Sequence, residues 1–452
     1  MGLLKRLGDI VENCGKEYRR QKEEPAPFFE CTEQIGERRP PFSGNLLALG
    51  DNRDFMRFLL KEKNMEGKFQ LIYIDPPFFS RADYAAEIKI SQDKLKLPAM
   101  KQRAYYDTWE NGMEEYLAML ASRLLLMREL LAEDGGIWVH LDWHAVHYVK
   151  VIMDEIFGEK NFINEIIWNY KSGGAGKRRF ARKHDTLLYY GKTKSYFFAP
   201  GTEKSYNRGN RPYLFKGVKE YKDDAGWYTM VNKKDVWRID MVGRTSGERT
   251  GYATQKPELL LEQILESCTR EGDLCGDFFS GSGTLAAAAE KMGRRWICCD
   301  IGLLAVAGSK RRLARKNAAF SCLYPAGMGR PFAGTGKISA EVCVKDCPIT
   351  SEKLLAIELV GYKPQALSKL PIGERQKKAV REIARKNPLE LVDFWTVDFH
   401  YDGEVYRPEV FLYREGKELM VYCEKLLRAP GAVGIKVYDV FGGSGFYAAQ
   451  VE

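Results

Sequence analysis

The chain has 452 residues, of which 45% are apolar and 29% are charged, and its formal net charge is +9. This length predicts two or three packed units. The sequence has no stretch near the roughly 20 apolar residues of a membrane span and no apolar leader with a cleavage site, so we expect a cytoplasmic chain without a membrane partner.

The cysteines and histidines do not form a recognisable metal-binding pattern. Cys343 and Cys347 are four positions apart, and no second pair or nearby histidine completes a zinc site. His140, His144 and His147 lie at mixed spacing in otherwise apolar sequence. The sequence therefore predicts no metal site and no disulfide scaffold.

Strand and helix patterns alternate from residue 45 to residue 157. Apolar runs predict strands at 45–51, 69–74 and 137–141, and helical spacing of apolar residues predicts helices at 52–63, 115–131 and 145–157. Apolar strands that alternate with helices are typical of a parallel sheet covered on both faces. We therefore expect an α/β, doubly wound, Rossmann-like sheet.

The pattern is interrupted between 170 and 249, where the sequence is basic, aromatic and rich in glycine. It then resumes with predicted helices at 256–270, 285–292 and 303–316 and predicted strands at 273–279 and 295–300. After about residue 336, alternating residues and turns predict a small β-rich domain, joined by a basic helix at 374–386.

A glycine-rich segment, Asp277–Thr284, lies between a predicted strand and a predicted helix. Its glycines allow a ligand to approach the backbone at the carboxyl end of the strand. The pattern is F-x-G-x-G, so a pyrophosphate cradle is not the first interpretation. Asp300, at the end of the next strand, suits hydrogen bonds to ribose hydroxyls. The alternative for Asp277–Thr284 is a tight strand-to-helix turn without a ligand. A second segment of similar composition, Phe441–Gly445, has strand-like sequence on both sides and is predicted to be a hairpin turn.

The tetrapeptide Asp75-Pro76-Pro77-Phe78 ends the strand predicted at 69–74. An exocyclic amine of a nucleic-acid base is a poor nucleophile because its lone pair is delocalised into the ring. Hydrogen bonds to a carboxylate and to a fixed carbonyl favour its nucleophilic form, and an aromatic ring can stack on an extruded base. The alternative is a proline-rich junction between a strand and a loop.

Together these segments resemble the DNA amino-methyltransferases of the permuted class, in which the catalytic tetrapeptide precedes the cofactor loop. Asp75–Phe78 corresponds to the family's D/N/S-P-P-Y/F/W motif, and Asp277–Thr284 to its D-x-F-x-G-S-G-T loop. Thr254-Gln255-Lys256-Pro257 corresponds to its T-Q-K-P segment, and Gly50-Asp51-Asn52 to its G-D turn. Residues 140–157 are similar to modification subunits of type III restriction systems.

The resemblance implies S-adenosylmethionine as cofactor and roles for individual residues. Asp51 would bind the adenine of the cofactor, Asp300 its ribose, and Thr254 and Lys256 its methionine end. The implied cofactor-binding set is Asp51, Thr254, Lys256, Asp277, Phe279, Gly281, Ser282, Gly283, Thr284 and Asp300, and the implied catalytic set is Asp75, Pro76, Pro77 and Phe78. Phe78 replaces the commoner tyrosine, which keeps the ring and loses a hydroxyl.

The function implied is methyl transfer to adenine N6 in DNA after base flipping, because aspartate as the first residue of the tetrapeptide favours adenine. The alternatives are cytosine N4 as the target and a catalytically idle DNA-binding protein. The resemblance divides the chain into an N-terminal extension (1–44), a catalytic half (45–169), a target-recognition insert (170–249), a cofactor-binding half (250–335) and a β-rich accessory domain (336–452).

Basic residues are concentrated at the start of the insert. Between 171 and 222 about fourteen lysines and arginines face about three acids, which is typical of a surface that contacts phosphates. We expect double-stranded DNA to contact Lys171, Lys177, Arg178, Arg179, Arg182 and Lys183, and a solvated basic loop is the alternative. Two further basic stretches, 310–316 and 375–386, are predicted to be solvated helix faces.

The resemblance also implies a homodimer. No helicase or nuclease motif is recognisable in the chain, so restriction activity would require a separate subunit. Both partners are expectations of the family and are not supported by particular residues.

Overall fold

The computed structural model describes residues 3–88, 100–171, 177–243, 245–252, 254–327, 336–347, 352–364, 372–416, 418–429 and 431–451. Within these ranges, no helix combines the length and the apolar character needed to cross a membrane.

The helices in the described ranges agree closely with the periodicity of the sequence. Their bounds are α1 Leu3–Glu23, α2 Asn52–Glu62, α3 Met113–Leu130, α4 Val146–Phe157, α5 Glu258–Cys268, α6 Thr284–Lys291, α7 Leu303–Arg315 and α8 Glu374–Lys386. Seven of these correspond to predicted helices, and α1 had no counterpart in the prediction.

The strands fall into two groups along the chain. The first group is β1 Phe29–Ile35, β2 Asn45–Leu49, β3 Phe69–Ile74, β4 Asp83–Ile88, β5 Met100–Tyr106, β6 Leu131–Leu141, β7 Phe162–Asn169, β8 His184–Gly191, β9 Thr202–Tyr206, β10 Glu220–Asp223, β11 Gly226–Asn232, β12 Val236–Arg238, β13 Leu274–Asp277, β14 Arg295–Asp300 and β15 Phe320–Pro325. The second group is β16 Lys337–Asp346, β17 Lys353–Lys363, β18 Val392–Asp398, β19 Val410–Glu415, β20 Glu418–Leu419, β21 Tyr422–Leu427, β22 Ala432–Asp439 and β23 Ser444–Gln450.

A ten-stranded sheet in the order β1-β15-β2-β14-β13-β3-β6-β8-β7-β12 organises the first group. The run from β15 to β6 is parallel, whereas β1 and β8 pair antiparallel to their neighbours in that run. From β3 the next strand of the sheet along the chain is β6, on one side, whereas from β13 it is β14, on the other side. Open α/β sheets bind ligands where the strand order switches direction in this way. The predicted Rossmann-like fold class is confirmed.

Both faces of this sheet are covered by helices because its central strands are apolar on both sides. On β3, Ile72 and Ile74 pack into a cluster with α1 to α4. Their neighbours Leu71 and Tyr73 pack into a second cluster with α5 to α7. Alternation of side chains across the pleat therefore places consecutive residues in different cores.

The sheet crosses three of the predicted domain boundaries. Strand β1 of the predicted N-terminal extension pairs with β15. Strands β8 and β12 of the predicted insert also belong to the sheet, through pairing with β6 and β7. Part of 170–249 therefore lies within the central sheet, and strands β9, β10 and β11 of this range form a separate three-stranded sheet.

The C-terminal residues form two antiparallel sheets, β16-β17-β21 and β20-β19-β18-β22-β23, which share one apolar core. Strands β22 and β23 pair as a hairpin around the segment at 440–443, as predicted for that glycine-rich turn. Helix α8 packs against this turn through Val380, Ile383 and Phe441.

A buried ionic cluster joins the N-terminal strand β1, helix α7 and the C-terminal domain. Glu33 is fully buried, and its Oε2 lies 2.6 Å from Lys310 Nζ and 2.8 Å from Lys436 Nζ. The hydroxyl of Tyr438 donates a hydrogen bond to Glu33 Oε1. The prediction of a solvated face at 310–316 is therefore wrong for Lys310, because α7 turns that side chain toward the C-terminal domain.

Candidate active site

The catalytic tetrapeptide begins at the residue after β3. Asp75 lies at this strand end and lines a cavity, and its Oδ1 is buried without a hydrogen-bond partner among the described residues. Its Oδ2 lies 2.5 Å from Lys256 Nζ. One carboxylate oxygen is therefore fixed by an ammonium, while the other remains available to a ligand.

A buried aspartate that the sequence analysis missed holds the loop after the tetrapeptide. Asp107 accepts hydrogen bonds from the backbone N–H of Phe79 (2.9 Å) and of Ser80 (2.6 Å), and from the Ser80 hydroxyl (2.6 Å). Phe79 has a positive φ of 61°, which is costly for a bulky residue and needs such support. No local motif identifies Asp107, because its partners lie 27 and 28 residues earlier.

The glycine-rich loop between β13 and α6 makes two close approaches that require glycine. Gly281 and Gly283 have φ values of 47° and 69°. A Cβ on Gly283 would lie 2.7 Å from Ser309 Oγ, which itself donates a hydrogen bond to the Gly281 carbonyl (3.1 Å). The loop is therefore pressed against α7 in a conformation that L side chains rarely adopt.

Asp300 fixes the other side of this loop. Its Oδ2 accepts the Gly281 N–H and its Oδ1 accepts the Gly302 N–H, each at 2.8 Å. Burial raises the pKa of the Asp300 carboxyl, although these hydrogen bonds oppose the shift. The carboxylate is thus oriented before any ligand arrives, and its remaining lone pairs can accept ligand hydroxyls.

A single cavity of about 410 Å³ brings most of the predicted residues together, a volume within the usual range for small-molecule sites. The predicted residues that line it are Asp51, Asp75, Pro77, Thr254, Lys256, Asp277, Phe279, Gly281, Ser282, Thr284 and Asp300. Pro76, Phe78 and Gly283 are not among the lining residues: Phe78 lies beside the cavity, with Lys256 Nζ 5.1 Å from its ring centroid.

The charge balance of the cavity favours a cationic ligand. Its lining carries four carboxyl groups (Asp51, Asp75, Asp277 and Asp300) and two cations (Arg123 and Lys256). Burial, together with the nearby carboxyls of Asp75 and Asp300, raises the pKa of Asp277 well above its ordinary value. An excess of carboxyl groups disfavours a pyrophosphate and suits a positively charged nucleoside derivative, so the residues fit S-adenosylmethionine.

Arg123 of α3 is a cavity residue that the sequence analysis missed. Its guanidinium lies 3.0 Å from Asp51 Oδ2 and donates to Asn52 Oδ1 at 2.7 Å. Asp51 also caps α2 by accepting the Arg53 N–H at 2.8 Å. An isolated arginine within a helix of leucines and methionines was the available signal, because a buried cation needs a partner. The sequence analysis also missed the lining residues Tyr73, Trp109, Met119, Tyr252, Ile301 and Gly302.

The basic residues at 171 and 177–183 lie between β7 and β8 in the chain. Lys171, Lys177, Arg178, Arg179 and Arg182 are exposed, and Lys183 is half-buried. The Tyr170 N–H donates a hydrogen bond to the Lys183 carbonyl (3.0 Å), which holds the two ends of the segment together. The Arg182 guanidinium stacks 3.4 Å from the ring centroid of Trp143, and Phe180 is 99% exposed. An exposed group of cations and aromatic rings is suited to contact with nucleic acid.

Comparisons with known proteins find DNA methylases. Residues 69–310, more than half of the chain, match a family model for N6/N4 methyltransferases that is described as DNA methylase. The type II methyltransferase M.EcaI of Enterobacter cloacae is 28% identical over 60% of this chain and 68% of its own length. The type II methyltransferase M2.DpnII of Streptococcus pneumoniae is 25% identical over 62% of this chain and 94% of its own length.

One relative belongs to a larger restriction enzyme, and the solved structures that match are more distant. The Mod subunit of the type III restriction-modification enzyme EcoP15I of Escherichia coli is 28% identical over 34% of this chain and 25% of its own length. The PvuII DNA methyltransferase (cytosine-N4-specific) is 17% identical over 64% of this chain and 94% of its own, with a TM-score of 0.41.

Proposed function

Because the chain belongs to the N6/N4 DNA methylase family, we propose that it transfers a methyl group from S-adenosylmethionine to adenine N6 in double-stranded DNA. The observation that carries this proposal is the asymmetry of Asp75. Its Oδ2 is held by Lys256, while its buried Oδ1 has no partner in the described part of the chain. A buried acceptor without a partner is costly unless a ligand supplies the donor.

We propose that the cavity binds S-adenosylmethionine through the residues named from the sequence. The carboxylate of Asp300, oriented by two backbone amides, accepts the ribose hydroxyls, and Asp51 takes the adenine end. The loop Phe279–Gly283, with Thr254, Asp277 and Thr284, would hold the methionine portion. Bound in this cavity, S-adenosylmethionine would supply an electrophilic methyl group, and its bond from the methyl carbon to sulfur would break as the target nitrogen bonds that carbon, leaving S-adenosylhomocysteine.

The tetrapeptide activates and positions the amine. Asp75 Oδ1 accepts one amine hydrogen, and the Pro76 carbonyl accepts the other, which favours the nucleophilic form of the nitrogen. Asp75 then takes the proton that the methylated nitrogen loses. The two prolines stiffen the backbone, and the ring of Phe78 stacks on the extruded base, a contact of about 1–3 kcal/mol.

DNA enters this scheme through the basic segment. We propose that Lys171, Lys177, Arg178, Arg179, Arg182 and Lys183 contact phosphates and base edges beside the flipped nucleotide. The rest of the insert, outside the central sheet, takes part in target recognition, and the two halves of the sheet bind the base and the cofactor. A second copy of the chain and a separate restriction subunit stay predictions.

Adenine is the proposed base because the tetrapeptide starts with aspartate. Cytosine N4 methylation would use the same groups and the same direct transfer, so it is the second candidate. A catalytically idle DNA-binding protein is the third interpretation, and it does not account for a cavity in which Asp75, Asp277 and Asp300 converge.

Mass analysis of nucleosides tests the proposal. The purified protein is incubated with unmethylated genomic DNA and labelled S-adenosylmethionine, and the digested DNA is analysed. We expect N6-methyldeoxyadenosine that disappears in Asp75→Ala and persists in Asp9→Ala, a matched change at an exposed position of α1.

Other outcomes lead to different conclusions. N4-methyldeoxycytidine would keep the mechanism and change the base. Failure of the protein to bind S-adenosylmethionine in a calorimetric titration would refute the enzymatic proposal.

A further inference from the structure

The buried histidine beneath the tetrapeptide is not used by the mechanism above. His140 of β6 is fully buried, and both of its ring nitrogens have hydrogen-bond partners. Nδ1 lies 2.9 Å from the Tyr73 hydroxyl, and Nε2 lies 3.1 Å from Asp185 Oδ2. Asp185 Oδ1 also accepts a hydrogen bond from the Tyr170 hydroxyl at 2.9 Å. Residues of three strands (β3, β6 and β8) and the residue after a fourth (β7) thus share one polar network inside an apolar core.

The direction of the hydrogen bond at Nε2 follows from the charge of Asp185. Burial alone would raise the pKa of the Asp185 carboxyl, but hydrogen bonds from His140 and Tyr170 and the charge of Lys256 lower it. Burial raises the pKa of Tyr73 well above its ordinary value. An ionised Asp185 only accepts, so His140 Nε2 donates to it, whereas the Tyr73 hydroxyl can donate to Nδ1 or accept from it.

This network holds the imidazole ring against the catalytic aromatic residue. The ring centroids of His140 and Phe78 are 5.8 Å apart with an interplanar angle of 28°. On another side, Trp168 meets the imidazole edge to face at 5.3 Å. The prolines before Phe78 restrict the backbone and leave its side-chain torsions free. The stacked imidazole therefore supplies a constraint on the Phe78 ring that the tetrapeptide itself lacks.

We propose that His140, held by Tyr73 and Asp185, is a positioning residue that sets the ring plane of Phe78 for stacking on the target base. The proposal rests on the proposed function, because it gives Phe78 a base to stack on. His140 touches neither the base nor the cofactor in this scheme. Its effect is to keep the Phe78 ring in one orientation when the target base stacks on it.

The same network reaches the base of the basic segment. Tyr170 and Asp185 flank residues 171–183, and Tyr170 N bonds the Lys183 carbonyl at 3.0 Å. Asn169 Nδ2 donates to that same carbonyl at 2.9 Å. The Asp185 carboxylate thus contacts both His140 and Tyr170, the residue that precedes the basic segment.

Three substitutions separate positioning from general packing. His140→Gln removes the stacked ring, and Tyr73→Phe removes one hydroxyl from the network. Tyr189→Phe is the matched control, because Tyr189 is also buried in the central sheet but its hydroxyl has no partner among the described residues. We expect single-turnover methyl transfer to fall about 10- to 100-fold in His140→Gln and several-fold in Tyr73→Phe. Tyr189→Phe should keep the parent rate and the parent affinities for S-adenosylmethionine and DNA.

A second measurement does not depend on activity. Trifluoromethyl-phenylalanine placed at position 78 reports the environment of that ring by fluorine NMR. We expect one narrow resonance in the parent and in Tyr189→Phe, and a broadened or divided resonance in His140→Gln and Tyr73→Phe.

An unchanged resonance in His140→Gln would overturn the positioning role. Equal losses of rate in Tyr73→Phe and Tyr189→Phe would also overturn it, because they would indicate a general packing effect. If the parent protein methylates no DNA, the proposed function fails, and the fluorine measurement still decides whether His140 orients Phe78.

Discussion

The Lys256 ammonium lies 2.5 Å from Asp75 Oδ2, although 181 residues separate the two in the chain. Asp75 follows β3, and Lys256 precedes α5, so the ion pair joins the two halves of the central sheet at the carboxyl ends of its strands. Both side chains are mostly buried, where an ion pair is screened less than at the surface. The pair therefore fixes the carboxylate at the centre of the site.

Lys256→Gln tests whether this lysine serves the carboxylate or the cofactor. We expect the single-turnover rate of methyl transfer to fall about 10- to 100-fold, because Asp75 loses the partner that orients it. The affinity for S-adenosylmethionine, measured by calorimetry, should change less than the rate. Lys291→Gln, which breaks an exposed pair with Glu262, is the control. A large loss of affinity at an unchanged rate would favour the methionine-binding role instead.

The two glycines at 283 and 308 should respond to alanine in opposite directions. Gly283→Ala should lower the free energy of unfolding by about 1–2 kcal/mol or more, since alanine is disfavoured at positive φ and its Cβ would meet Ser309 Oγ. Gly308 lies within α7 with open space around its Cβ position, so Gly308→Ala should raise stability by about 0.5–1 kcal/mol. Denaturant unfolding measures both, and a neutral Gly283→Ala would show that the loop relaxes freely.

The basic segment should make the affinity for DNA depend on salt concentration. The triple variant Arg178→Ala, Arg179→Ala, Arg182→Ala should weaken DNA binding, because fewer phosphates are neutralised. The slope of log affinity against log salt should become shallower by about one for each phosphate that the variant leaves without a cation.

A matched triple variant tests whether position or total charge matters. The control removes three exposed cations of α8, Arg375→Ala, Lys378→Ala and Arg381→Ala. Fluorescence anisotropy with a labelled duplex, repeated over several salt concentrations, measures both slopes. Equal decreases of affinity in the two triples would mean that only total charge matters, which contradicts a specific role of the segment.

The buried cluster around Glu33 predicts a loss of stability in acid. Although burial alone would raise the pKa of Glu33, the ammonium groups of Lys310 and Lys436 lower it to about 2, from an ordinary 4.5. The unfolded chain then binds a proton in a range where the folded chain does not. The contribution of Glu33 to stability is complete above about pH 4.5 and is lost as the pH falls toward 2.

Glu33→Gln measures that contribution. At neutral pH it should cost about 3–5 kcal/mol, because two buried ammonium groups lose their counter-charge. The difference in unfolding free energy between parent and variant should narrow as the pH is lowered. Lys436→Met, which keeps the pair between Glu33 and Lys310, should cost less. A difference that stays constant with pH would mean that Glu33 is not ionised in the folded chain.

Several elements and the candidate site were predictable because their signals are local. The strand at 69–74 and the helix at 374–386 were predicted with the bounds that the structure gives. Asp75, Asp277 and Asp300 each follow or end an apolar strand, and the carboxyl ends of parallel strands meet at one edge of a sheet. Their convergence on one cavity therefore follows from the strand pattern and the motifs together.

The missed features depend on contacts between distant segments. Strand β8 lies next to basic sequence, and no local pattern shows that it pairs antiparallel with β6. Asp107 and Asp185 are ordinary acids in sequence, and only the fold places them at Phe79 and His140. Lys310 sits in a basic stretch that resembles a solvated face, and its burial depends on a glutamate 277 residues away.

The order of the strands also has a consequence for biosynthesis. Strand β2 is flanked by β14 and β15, and β3 pairs with β13 on one side. Chains emerge from the ribosome at about 5–20 residues per second. The edges of β2 and β3 that pair with β13, β14 and β15 therefore stay unpaired for on the order of ten seconds or more, until those strands are synthesised. During that interval the nascent N-terminal half presents unpaired strand edges, which makes it a candidate substrate for ribosome-associated chaperones. Slower translation after residue 77 should increase aggregation of this protein more than slower translation after residue 300.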